Sequence, residues 1–140
     1  MASSRGPTTP ISFGTAREDV MDAVTALRGP PDEEATNPEC GAGPLEFATW
    51  RDGLGLWFSD GRFVGWGVDG RAEGSARNTT RAGIRTGSTL AELRDVYSTG
   101  VEETSLGVEF NAGGLHGLLS GTDSTARVTH LRAGTACIFR

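Results

Sequence analysis

The sequence predicts an α+β fold: two pseudo-repeats, each a helix plus an antiparallel meander, forming one sheet with both helices on the same face. Three observations predict it. Asp52-Gly53 and Asp60-Gly61 are set between apolar runs in residues 45–69, and an Asp-Gly pair in that setting is the strongest short-range hairpin signal. A phrase of strand, glycine, cap and helix near the start returns in the second half, with Gly14 aligned on Gly87, as in a tandem repeat. Finally, 21 glycines in 140 residues mean many turns and few long helices. The length suits one compact domain with a real core.

Taken in order, residues 1–10 read as a disordered lead of small, polar and Pro residues. Residues 11–70 form the first helix-plus-meander repeat, 71–82 a polar linker, and 83–140 the second repeat. A helix near 16–28 follows from Val20, Ala23, Val24 and Leu27 at helical spacing. Thr15 with Glu18 gives it a capping-box start, and Gly29-Pro30-Pro31 ends it. Residues 45–69 then read as three strands. The second helix, near 89–98, has Thr89 and Glu92 as its capping box, Leu90, Leu93, Val96 and Tyr97 as its apolar stripe, and Gly100 as its stop. Strands follow at 106–111, 115–119 and 126–131, and residues 137–139 pack on an edge. The whole sheet is expected to hold six to eight strands.

If both Asp-Gly pairs are two-residue turns, Trp50 faces Gly55, Ala48 faces Trp57, Phe58 faces Phe63 and Gly55 faces Trp66. Alternation along each strand then puts Leu45, Phe47, Leu54, Leu56, Phe58 and Phe63 on one face. The other face collects Trp50, Trp57, Trp66, Val64 and Val68, with Gly55 leaving a gap between indoles. All three tryptophans of the chain share that face. The expected binding surface is therefore Trp50, Trp57, Trp66 and Val64, flanked by Arg62, Glu109 and His116. The rival reading is a sheet buried on both sides, by a dimer or by the linker, because aromatic side chains dominate cores.

A net charge of -5 argues against nucleic acid or an anionic membrane as partner. No apolar run nears the roughly 18 residues of a membrane span. All 13 basic residues are Arg, as a GC-rich genome would produce. The N-terminus has no hydrophobic signal region, yet a start methionine on a mature exported domain would look the same. A secreted or periplasmic location is expected, with a cytoplasmic one the alternative. Cys40 and Cys137 are either bridged or two separate buried thiols; a bridge is expected, because Cys40 lies in a Gly/Pro-rich loop. Closing so long a loop is worth about 4–5 kcal/mol in the chain-entropy model.

Few residues have the pattern of catalysis. His116 falls near Glu109 if the turn at 112–114 pairs them, the carboxylate orienting a general base, but a lone strand histidine is far more often a surface residue. His130 sits in an alternating strand between Thr129 and Leu131. The sequence has no nucleophile elbow, no metal-ligand spacing and no phosphate loop. Asn78-Thr79-Thr80 matches a glycosylation sequon. No enzyme, cofactor or metal is expected.

The segment Gly87-Ser88-Thr89-Leu90-Ala91-Glu92-Leu93 resembles the helix start of secreted β-lactamase inhibitor proteins and of the small lipoprotein of the outer-membrane assembly machine. The tandem layout is similar to that of the inhibitors. The resemblance implies two helices behind a concave sheet whose exposed aromatic side chains grip a protein. It covers about seven residues in motif, and the first repeat departs from it, with Ala16 where threonine belongs. The inhibitors also carry a disulfide in each repeat, against one possible bridge here. These readings converge on a non-enzymatic extracytoplasmic binding module for a protein partner, an inhibitor being one case. The alternatives are a small-ligand or saccharide binder on the same tryptophan face, and a weak hydrolase using His116. The chain would be a monomer or a weak homodimer through that face, with no membrane insertion.

Overall fold

The computed structural model describes residues 11–40, 43–80 and 82–135. Helix α1 (Arg17–Arg28) is followed by strands β1 (Glu33–Asn37), β2 (Leu45–Thr49), β3 (Leu54–Ser59) and β4 (Arg62–Asp69). A 3-10 turn at Ser75–Arg77 precedes α2 (Leu90–Val96), β5 (Gly100–Thr104), β6 (Gly107–Ala112), β7 (Leu115–Leu119) and β8 (Val128–Gly134). The eight strands form one sheet in the order β1-β2-β3-β4-β8-β7-β6-β5, every pairing antiparallel. The last strand of each half thus meets the other at the centre, and the outermost strands are β1 and β5.

Those two edges lack the apolar alternation that announces the inner strands. β1 reads EEATN and β5 reads GVEET, both mostly exposed. Charged residues on an edge discourage pairing with another chain, which also makes such strands hard to find from hydrophobic pattern.

The two helices start differently. In α2, Thr89 accepts from the Glu92 N–H while Glu92 accepts from the Thr89 N–H, the capping box expected. The expected box at α1 does not form. Its N-cap is Ala16, with no side-chain cap, and the Thr15 hydroxyl donates instead to the Ser12 carbonyl at 2.7 Å. Gly29 ends α1 at φ 84, a left-handed conformation that glycine adopts at little cost.

The register at both Asp-Gly sites decides the faces. Asp60-Gly61 is a two-residue turn with positive φ at both residues, and Ser59 faces Arg62 and Phe58 faces Phe63 as expected. Just beyond it a bulge between Trp57 and Phe58 shifts the register, so Trp57 faces Gly65 and Leu56 faces Trp66. At Asp52-Gly53 the chain turns over four residues, 50–53, with the Trp50 N–H donating to Leu54 O and Gly53 N–H to Trp50 O. Ala48 therefore faces Leu56 and Phe47 faces Trp57. A slip of one residue carries a side chain to the other face of a sheet. Here the longer turn and the bulge move Phe47 off the expected core face and Trp66 and Val68 onto it.

The core forms on that face. One buried cluster contains Val20 and Val24 of α1, Leu90 and Leu93 of α2, and Leu54, Leu56, Phe58, Phe63, Trp66, Val68, Phe110, Leu115 and Leu131 of the sheet. Trp50 joins it from the β2–β3 turn, its indole N–H donating to the Gly29 carbonyl at the end of α1 at 3.1 Å. That bond satisfies the one polar atom of a buried indole. Leu45 is buried at 1% exposure but lies outside this cluster, on the same face of β2 as Phe47 and not on the expected core face.

The segment read as a linker is packed. Ser75 and Asn78 are buried, and Ser75 shares a 2.8 Å hydrogen bond with Thr86. Arg28 pairs with Asp52 and donates to the Asn78 side chain at 2.6 Å, tying α1 to the β2–β3 turn and to the connector. Asn78 is 7% exposed and committed to Arg28, so its side chain is no open glycosylation acceptor. The lead at 1–10 and the edge piece at 137–139 lie outside the described residues.

Candidate functional site

The face opposite the core carries a groove of about 680 Å³. Its floor is Gly55 of β3 and Gly67 of β4, which face each other across the strand pair. The Trp57 indole lies across both. A Cβ placed on Gly55 would stand 3.0 Å from Trp57 Cη2, and one on Gly67 3.3 Å from Trp57 Cζ3. A side chain at either position would crowd the ring. Trp57 is half-buried there, with Phe47 as its cross-strand neighbour.

Beyond the glycines the groove crosses the central seam. Asp69 faces His130, and Gly67 faces Arg132. His130 Nε2 lies 3.3 Å from Asp69 Oδ1, and its Nδ1 lies 3.0 Å from the Thr129 hydroxyl. Arg71 reaches back to the same carboxylate at 2.9 Å. Hydrogen bonding from Arg71, outweighing the opposing effect of burial, holds the Asp69 carboxyl below its ordinary range. His130 contributes in the same direction when charged. On the next strand Leu118 faces His130, adding an apolar wall with Leu106.

Of the residues expected to bind, Trp57 lines this groove on the open face, and Trp50 borders it from the β2–β3 turn. Trp50 and Trp66 contradict the expectation of a shared tryptophan face: both are core residues at 7% exposure, for the register reasons given above. Val64 is the half-buried bulge residue, its carbonyl taking the Thr135 N–H, and it stands outside the groove. Arg62 lies at the β3–β4 turn, donating to the Gly14 carbonyl at 3.0 Å. Glu109 and His116 do share the open face, but diagonally: Glu109 faces Leu118, and His116 faces Asn111 and Arg132. Glu109 is instead ion-paired with Arg132 at 3.0 Å, both side chains largely buried.

Arg132, His130, Asp69, Arg71 and Gly67 are groove residues that the sequence reading did not select. The strand Thr129-His130-Leu131-Arg132-Ala133 alternates polar and apolar, with Leu131 in the core. That period-two pattern is the signal that puts His130 and Arg132 together on the far side. Gly67 gave no such signal, because its place under Trp57 depends on the bulge. Cys40 is buried and no free cysteine occurs among the described residues; Cys137 lies outside them. Among the described residues no group of three His, Cys, Asp or Glu gathers as a metal site. None of their helices is long and apolar enough to cross a membrane. No family model, curated protein or solved structure matches the chain.

Proposed function

We propose that the chain is a non-enzymatic, extracytoplasmic binding module that engages a protein partner through the open face of its sheet. The observation that carries the reading is the placement of Trp57 over Gly55 and Gly67 in a groove on the face opposite the core. Tryptophan is enriched at the centres of protein interfaces, where one fixed ring supplies much contact area. The half-to-half layout supports an ancient duplication, one helix and four strands on each side of the β4–β8 seam. Both helices belong to the same buried cluster, which supports their covering one face and leaving the other for a partner. That arrangement resembles the β-lactamase inhibitor layout, and enzyme inhibition is one form the binding could take.

A second reading has its own support. A single indole beside a small polar set of Asp69, His130 and Arg132 also suits the flat face of a sugar ring. The groove volume lies within the usual range for small-ligand sites, roughly 300–1,000 Å³. The hydrolase reading has less: His116 faces Asn111 and Arg132, and Glu109 is engaged by Arg132.

The test is capture from the native host's extracellular and periplasmic fractions with wild type and Trp57→Ala side by side. A specific protein retained by the wild type and lost from the variant, which keeps the wild-type fold, supports the proposal. Equal retention by both would remove Trp57, and with it this face, from the interface.

A further inference from the structure

The charges around the groove differ from those of the chain. The protein carries a net charge of -5, yet the groove is lined by Arg51, Arg71 and Arg132 with Asp69 as its one acid. The Asp69 N–H donates to Gly53 O at 3.0 Å, which brings the turns bearing Arg51 and Arg71 together at one end.

These arginines are differently committed. Arg132 is held by buried Glu109 and is part of the wall. Arg51 pairs with Asp32 and Arg71 with Asp69, but their side chains are 91% and 82% exposed. Ion pairs so exposed are screened by water, so an incoming carboxylate can compete for these guanidinium groups. Asp69 holds Arg71 through Nε and Nη2, and a guanidinium has five N–H groups, so its outer edge can still meet a second carboxylate.

We infer that the groove receives an acidic, extended segment of a partner protein, its carboxylates meeting Arg51 and Arg71 while an apolar side chain rests against Trp57 and Leu118. This rests on the reading of the open face as a protein-binding surface. Charge complementarity carries the choice of occupant. On a protein of net charge -5, a groove lined by three arginines and one acid is a place where an acidic segment meets guanidinium groups, which helps fix its orientation. The apolar wall accounts for the flanking residue, and partly hydrated arginines suit the rim of a protein interface.

The test uses blocked tripeptides, acetyl-Glu-Phe-Glu-amide and acetyl-Gln-Phe-Gln-amide, with digalacturonate as the acidic sugar. Each is titrated into the full chain labelled with 5-fluorotryptophan, and the Trp57 resonance is followed. The glutamate peptide is expected to bind about fivefold or more tighter than the glutamine peptide, as charge-assisted hydrogen bonds allow. The gap should close in about 0.5 M salt and in the Arg51→Gln/Arg71→Gln variant, whose changes lie at exposed positions and spare the fold. Equal binding of the two peptides at low salt overturns the acidic preference while leaving the face in use. Tighter binding of digalacturonate than of either peptide overturns the choice of a protein segment. Failure of both peptides to bind overturns the inference, whereas the Trp57→Ala capture reads the face separately.

Discussion

The Trp57 indole lies against Gly55 so closely that a Cβ there would stand 3.0 Å from its Cη2. Ring and glycine explain each other. Glycine in a strand interior weakens the strand and marks a close approach, and here the approaching group is the ring. Gly55→Val should therefore turn the indole off the floor, raising its quenching by acrylamide and weakening partner capture. Overpacking of this kind costs about 1–3 kcal/mol, so the variant should still fold. Unchanged quenching would mean that the ring does not depend on the gap.

Trp57 and Trp66 point to opposite sides of the sheet, and their replacement should separate stability from binding. Trp66→Ala removes a core ring and should cost about 3–5 kcal/mol in urea unfolding. Trp57→Ala should cost less than about 1.5 kcal/mol, because its ring is half-buried against glycines. Equal losses would place both rings in one core.

How far the sequence revealed this arrangement depends on a few residues. The α+β class, the single sheet and both helices were legible, because Val20, Val24, Leu90 and Leu93 keep helical spacing and Asp60-Gly61 makes the turn its type demands. Strands β1 and β5 were not, since polar edge residues erase the hydrophobic signal. The shared tryptophan face failed for a local reason. Asp52-Gly53 was read as a two-residue turn, but Gly53 sits against β4, where a Cβ would meet the Asp69 carbonyl at 2.5 Å. That packing belongs to a longer turn, and nothing in the adjacent residues announces it. The groove's His130 and Arg132 were legible only once their strand was known to lie at the sheet's centre.

Helix α2 has a box that α1 lacks, so the two starts should respond differently. Thr89→Ala should cost about 1 kcal/mol, whereas Thr15→Ala, which loses only a bond to Ser12, should cost a few tenths. The Thr89 N–H and hydroxyl hold the Glu92 carboxyl below its ordinary range. A carboxylate with a lowered folded value contributes stability above its unfolded value of about 4.3, and loses it as pH falls through the folded value. Acid titration of wild type and Glu92→Gln should therefore converge at low pH. Parallel curves would contradict the cap.

We propose that Cys40 is bridged to Cys137, and reduction should then lower the melting temperature. Loss of a bridge typically costs a small extracellular domain about 2–5 kcal/mol, several degrees at this size. Quantitative labelling of two thiols in the folded, unreduced protein would contradict the bridge and remove this support for an oxidising compartment.

The central claim is that the sheet has one buried face holding Trp50 and Trp66 and one open face presenting Trp57. Fluorine NMR of the 5-fluorotryptophan protein reads all three rings at once, with Trp57→Phe assigning one resonance. A soluble paramagnetic agent should broaden the Trp57 signal strongly and leave the other two sharp. Comparable broadening of all three would return the tryptophans to a common exposed surface, and a sharp Trp57 signal would mean that the face is covered.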